Sequence, residues 1–228
     1  PPRSTLFPYT TLFRSVRRPR RPLLQALLKL SGAIDALNEA IGKLVMWLIL
    51  AAVVISAGNA IMRKAFDIGS NAYLEIQWYL FSAVFMLGAG YVFLRNAHVR
   101  IDFISSKLSK RTNALIDAVG LLVFIIPLCV ILVTLSWPVF ERAWVSGEMS
   151  SNAGGLIRWP VQLLIPVGFA ILGLQCVSEL IKRVAFLAGA RDEPFSIVET
   201  KSAEELLIEE LAAEAEAKTL ALAQGSKS

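Results

Sequence analysis

The chain has 228 residues, of which 55% are hydrophobic and 18% charged, with a mean hydropathy of +0.59 and a formal net charge of +5. A soluble domain carries about 25% charged residues, so this composition points to an integral membrane protein rather than a large soluble core. No Lys/Arg stripe falls on a soluble element, which argues against nucleic acid as a partner. The single histidine, His98, excludes a bis-His haem or a multi-His metal site built by this chain alone.

Residues 1–15, PPRSTLFPYTTLFRS, fit nothing that follows. They lack the basic start, the unbroken apolar core and the small-residue cleavage site of a signal peptide. They read instead as the translation of a common short-read sequencing adapter, joined in frame. On that reading the segment is not native, Arg3 and Arg14 supply two of the five net charges, and the protein proper is read from Val16.

Residues 16–43 form a basic N-terminus followed by an amphipathic helix. Leu23, Leu27, Leu30, Ile34, Leu37, Ile41 and Leu44 alternate in fours and threes, the spacing of one apolar stripe on a helix. Gln25, Lys29, Asp35, Asn38, Glu39 and Lys43 lie off it. The arginines just upstream favour the anionic lipid of the cytoplasmic leaflet, so the helix is expected to lie along the membrane surface. Packing on a soluble partner, or a short coiled coil, are the other readings of the same stripe.

The membrane domain is expected over 44–187, with apolar spans at Leu44–Ile61, Ile76–Leu94, Ala114–Trp137 and Val161–Ile181. Each approaches or exceeds the roughly 20 residues that cross a bilayer. Apolar character is continuous rather than alternating, which selects helices over barrel strands. The fold class is therefore all-α integral membrane, with four transmembrane helices. From Val16 onward the flanks and loops carry six, two, five, two and six Lys/Arg residues in turn, which places both termini in the cytoplasm. Trp78, Trp137 and Trp159 fall at the outer boundaries and Trp47 near the inner one, as interfacial anchors do.

Groups able to do chemistry are sparse. No span centre carries a charge; Asp117 and Glu179 sit near inner ends and Glu75 at an outer boundary. An intramembrane ionisable group is the usual mark of an ion or substrate path, so no catalytic, substrate-binding, cofactor or metal residue is assigned, and no cofactor is expected. Cys129 and Cys176 are placed about 10 Å apart in depth, beyond disulfide reach. Gly88, Gly90, Gly168 and Gly173, with Ser82, let helices approach closely, either within this chain or against another subunit.

Arg95, His98, Arg100 and Asp102 cluster beneath the second span, where positive-inside anchoring and an ion pair of Asp102 with Arg100 or Arg95 account for them. The third loop, WPVFERAWVSGEMSSNAGGLIRWPVQL, is Ser/Gly-rich yet carries Trp144 and Trp159, an aromatic load that suggests a contact with a periplasmic partner. Residues 188–228 read as an acidic cytoplasmic tail, helical from about Ser202, which stands in capping-box spacing with Glu205.

The lead helix, the four spans, GAGYVFLRNAHVRIDF after the second span and SSNAGGLIRWPVQLLIPVGFAILGLQ into the fourth together resemble one family over about residues 23–187. It is the small DctQ-type membrane subunit of tripartite ATP-independent periplasmic (TRAP) transporters. The resemblance implies a non-enzymatic scaffold of the bacterial inner membrane. Its large DctM-type partner would hold the substrate and sodium sites, and a DctP-type periplasmic protein would deliver an organic acid. It also implies that Glu75 and Trp78 anchor the outer boundary, that Arg95, Arg100 and Asp102 anchor the inner one, and that the loop from Trp137 to Trp159 faces the delivery side. A self-contained four-span transporter, a membrane anchor for a redox enzyme and a purely structural membrane protein are the competing readings. The first lacks an embedded carboxylate in its first span, and the second has one histidine with which to bind haem.

Overall fold

The computed structural model describes residues 22–67, 69–95 and 108–191. Within them are four helices long and apolar enough to cross a membrane: α1 Pro22–Phe66, α2 Asn71–Leu94, α3 Lys110–Ser146 and α4 Trp159–Leu187. No strand occurs among the described residues, and the only β-pairing there is a single antiparallel bridge between Met149 and Ile157.

Local chemistry sets the helix ends. The Ser109 hydroxyl accepts from the Thr112 amide at 3.2 Å and caps the start of α3. Gly147 takes a left-handed φ of 64° and stops α3. At the end of α4, Gly189 adopts φ 73°, the Ala190 amide reaches back to the Ala185 carbonyl and the Gly189 amide to Phe186, both at 2.9 Å. That is the double bond of a glycine-stopped helix. Inside α3, Leu121–Ile125 widens into a π turn in which the Ile126 amide bonds the Leu121 carbonyl. The cause is Pro127, which has no amide proton to continue the ordinary ladder.

The four helices do not form a closed square. α4 is the hub: α1, α2 and α3 all pack on it, α1 also packs on α2, and α3 has its extensive contacts with α4 alone. The glycines explain how α2 can come so close to both α4 and α1. A methyl on Gly168 would stand 2.7 Å from the Met86 Cβ and 2.8 Å from its carbonyl oxygen, and one on Gly42 would enter the Tyr91 ring at 2.4 Å. Gly90 faces Asn38 and Ile171, Gly88 faces Val45, and Gly173 faces Cys129. All five glycines are used between helices of this chain, where dispersion rather than water drives association.

Two expectations are corrected. The boundary expected at 43/44 is not a helix end: α1 runs unbroken for 45 residues through it. At 1.5 Å per residue it is about 67 Å long, so it must tilt steeply or project beyond a hydrocarbon layer of about 30 Å. Its buried face is Ser31, Ile34, Asn38, Gly42 and Val45, while Leu23, Leu30, Leu37 and Leu44 are between 46% and 74% exposed. The physical reason is polar: Ser31, Asp35 and Asn38 find hydrogen-bond partners on α4, which outweighs turning the leucines inward. The second correction concerns the cysteines. Cys129 and Cys176 are both buried and free, and their thiols are close enough to interact. The depth estimate failed because α3 extends to Ser146, nine residues beyond the apolar run ending at Trp137, so Cys129 sits farther from the loop end than assumed.

Candidate functional site

Polar side chains gather at the two ends of the helix group. At one end the Ser/Gly-rich loop between α3 and α4 folds onto Glu75 in the first turns of α2. Glu75 is only 6% exposed. Its Oε1 accepts from the Ser150 hydroxyl and from Asn152 Nδ2 at 2.7 Å, and its Oε2 accepts from the Leu156 amide at 2.6 Å. Asn71 and Tyr79 extend the seam by donating to the carbonyls of Ala153 (3.0 Å) and Ile157 (3.1 Å). Gly155 must lack a side chain, since a Cβ would meet Glu75 Oε1 at 2.8 Å and Ser150 Cβ at 2.6 Å. The carboxylate therefore closes a loop; its oxygens are taken by donors of that loop.

The aromatic side chains of this end form a line. Trp137 and Phe140 are 5.5 Å apart, Phe140 and Trp144 6.2 Å, and Trp144 and Trp159 meet edge to face at 4.6 Å. Trp144 and Trp159, far apart in sequence terms for a loop, are thus brought together, with Trp144 largely exposed. Trp78 is 69% exposed on α2 and is not part of this line. Glu148 and Arg158 pair at 2.7 Å, but both are open to solvent, so the pair adds little stability.

At the other end the inner faces of α1 and α4 carry a continuous polar ladder. Asn38 Nδ2 donates to Gln175 Oε1 at 2.8 Å, Gln175 Nε2 to Asp35 Oδ1 at 3.0 Å, and Ser178 Oγ to Asp35 Oδ1 at 2.8 Å. The Ser31 and Ser178 hydroxyls meet at 2.7 Å. Lys182 reaches Asp35 and Glu179, each at 2.7 Å, and Arg183 reaches Glu179 at 2.7 Å and Asp117 of α3 at 3.4 Å. Lys182, Arg183 and Glu179 are all nearly inaccessible. Buried charges persist only when paired and hydrogen-bonded, and here each cation shares the Glu179 carboxylate.

Arg95, one of the residues expected to anchor this end, pairs with Glu39 of α1 at 2.5 Å and lies over the Tyr91 ring at 5.2 Å. Arg100, Asp102 and His98 lie outside the described residues, as do residues 1–21 and the tail from 192. The ladder itself is absent from the expectations, which count Lys182 and Arg183 toward the charge asymmetry and place Asp35 and Asn38 off the apolar stripe. A signal was present: Gln175, Ser178, Glu179 and Lys182 recur at helical spacing on one face of α4, and Ser31, Asp35 and Asn38 do so on α1. Among the described residues no three His, Cys, Asp or Glu side chains are placed to share a metal ion.

The polar groups at both ends thus join helix to helix and loop to helix, within a multi-pass membrane protein whose apolar helices are its bulk. This defines an integral membrane component. The family model for the DctQ component of tripartite ATP-independent periplasmic transporters matches residues 52–186. The chain belongs to that family, a family of transporter components and not of enzymes. No curated protein and no solved structure matches it.

Proposed function

We propose that this chain is the small scaffold subunit of a secondary active, binding-protein-dependent symporter for an organic acid, and that it braces the large DctM-type subunit in the bacterial inner membrane. The observation that supports the bracing role is the outward row Leu23, Leu30, Leu37 and Leu44 on α1. A helix whose polar face is taken by α4 and whose leucines point outward offers an apolar seam to lipid or to another membrane helix, at the sevenfold spacing a partner helix can follow. The charge asymmetry of the loops supports cytoplasmic termini. On that orientation the Glu75-closed loop with Trp144 and Trp159 faces the DctP-type periplasmic protein.

The test is recovery of the tagged chain from gently solubilised membranes, with its partners identified by mass. A large polytopic subunit is expected in near-equal amount. The variant L30A/L37A should lower that recovery by well over tenfold, because each truncation removes roughly 2 kcal/mol or more of contact when the site is covered and about 1.4 kcal/mol is already tenfold, while the chain itself stays folded. A chain recovered alone under conditions that preserve other complexes would overturn the scaffold reading and favour a self-contained transporter.

A further inference from the structure

Between the last turns of α1 and the first turns of α2 lies a cleft of about 370 Å³, lined by Ser56, Asn59, Arg63, Lys64, Leu74 and Gln77 among others. That size is within the range of small-ligand sites. Its lining is rich in donors. Gln77 Nε2 donates to the Ser56 hydroxyl and fixes the floor. Asn59 is half-buried and makes no side-chain hydrogen bond to the described residues, and neither Arg63 nor Lys64 is in an ion pair with them. The Arg63 stem runs beside Gly69, 3.6 Å from where a Cβ would stand.

The carboxylates near the cleft form no ion pair with its cations. Glu75, on the adjoining helix, has its oxygens in the 150–156 loop. Asp67, in the connection, is bridged to neither cation. On the same turns Ile61, Met62 and Phe66 of α1 and Tyr73 of α2 are exposed apolar surface, as is Leu74 of the lining. A small soluble anion would leave that surface bare; an acyl chain would cover it.

We propose that this cleft binds a phosphodiester carrying acyl chains, the headgroup of an anionic phospholipid. Arg63 takes two phosphate oxygens through its planar fork, Lys64 adds a point charge, and the Asn59 and Gln77 carboxamides bond the remaining headgroup oxygens. The chains run down the apolar sides of α1 and α2. The site lies at the end opposite the buried ladder and is independent of whether the chain braces a larger subunit.

The experiment uses the full chain in mild detergent with phosphatidylglycerol carrying a photoreactive group, and maps the labelled residues by mass. Label is expected within residues 56–77 and should be much weaker with the phosphatidylcholine analogue. It should fall about tenfold in R63Q/K64Q, within what two basic residues contribute near an anionic surface, remain in the charge-conserving R63K/K64R, and remain in K29Q/K43Q at the other end. Both cations are exposed, and an unchanged thermal unfolding curve for R63Q/K64Q would exclude misfolding as the cause. Equal labelling by the two lipids, or undiminished labelling of R63Q/K64Q, would overturn the site. Displacement of the label by glycerol phosphate as effectively as by phosphatidylglycerol would assign the cleft to a free phosphate compound and overturn the lipid.

Discussion

Gly90 shows how a single hydrogen atom holds two helices together. A methyl there would stand 2.2 Å from Asn38 Oδ1 and 3.0 Å from Ile171 Cγ2, and Asn38 is fully buried. The Asn38 oxygen has no N–H or O–H partner among the described residues, and the bare Gly90 backbone is what lets it lie there, a position suited to a weak Cα–H contact. Gly90→Ala should therefore lower stability by about 1–3 kcal/mol, the usual cost of overpacking. The same substitution should cost much less in an Asn38→Ala background, because the obstructing oxygen is gone. Thermal unfolding of the four members of this double-mutant cycle measures the coupling; strictly additive losses would show that the two residues do not meet. The sequence marked Gly90 as a place of close approach, but not what approaches it.

The decisive feature of the helices is the ladder between α1 and α4. Glu179 serves both Lys182 and Arg183, whereas Asp35 serves Lys182 together with Gln175 and Ser178. Removing the Glu179 charge leaves two nearly inaccessible cations short of a partner, and breaking a buried pair costs about 3–5 kcal/mol. Neutralising Asp35 leaves Lys182 still paired with Glu179. Glu179→Gln should thus destabilise the chain markedly more than Asp35→Asn, as read by thermal unfolding in detergent. The reverse order would mean that Asp35, not Glu179, is the main counter-charge. The helices themselves were legible beforehand, since their existence rests on local hydropathy. The facing of α1 was not. Its leucine stripe is a sound helical signal, but the choice between burying leucines and burying Ser31, Asp35 and Asn38 depends on what α4 offers opposite them.

For the molecule as a whole, the register of α3 on α4 is the least constrained by local sequence, because α3 touches one neighbour extensively. The proximity of Cys129 to Cys176, the approach of Gly173 to Cys129 and the edge-to-face contact of Trp144 with Trp159 all report the same register. Mild oxidation of the chain in membranes should therefore link Cys129 to Cys176 within one molecule, recovered as a joined peptide pair by mass spectrometry. Its absence under conditions that link an exposed control pair would displace α3 along α4. A one-sided α3, a long α1 with outward leucines and a central α4 also leave two broad apolar faces, on α1 and on α3.

Sequence alone determined that the chain is an all-α membrane protein with four crossing helices, and the resemblance carried by its loop motifs named the family that the match over 52–186 shows. Hydropathy and loop charge are local quantities, summed along the chain without knowledge of neighbours. Tertiary structure decided the rest: that α4 is the hub, that Glu75 closes a loop some 75–81 residues away, that the lead segment continues the first span, and that the cysteines lie close together. Each of these is a pairing between distant segments. A polar group buried in an apolar setting is stable only with its partner in place, and only the packed helices say which partner that is.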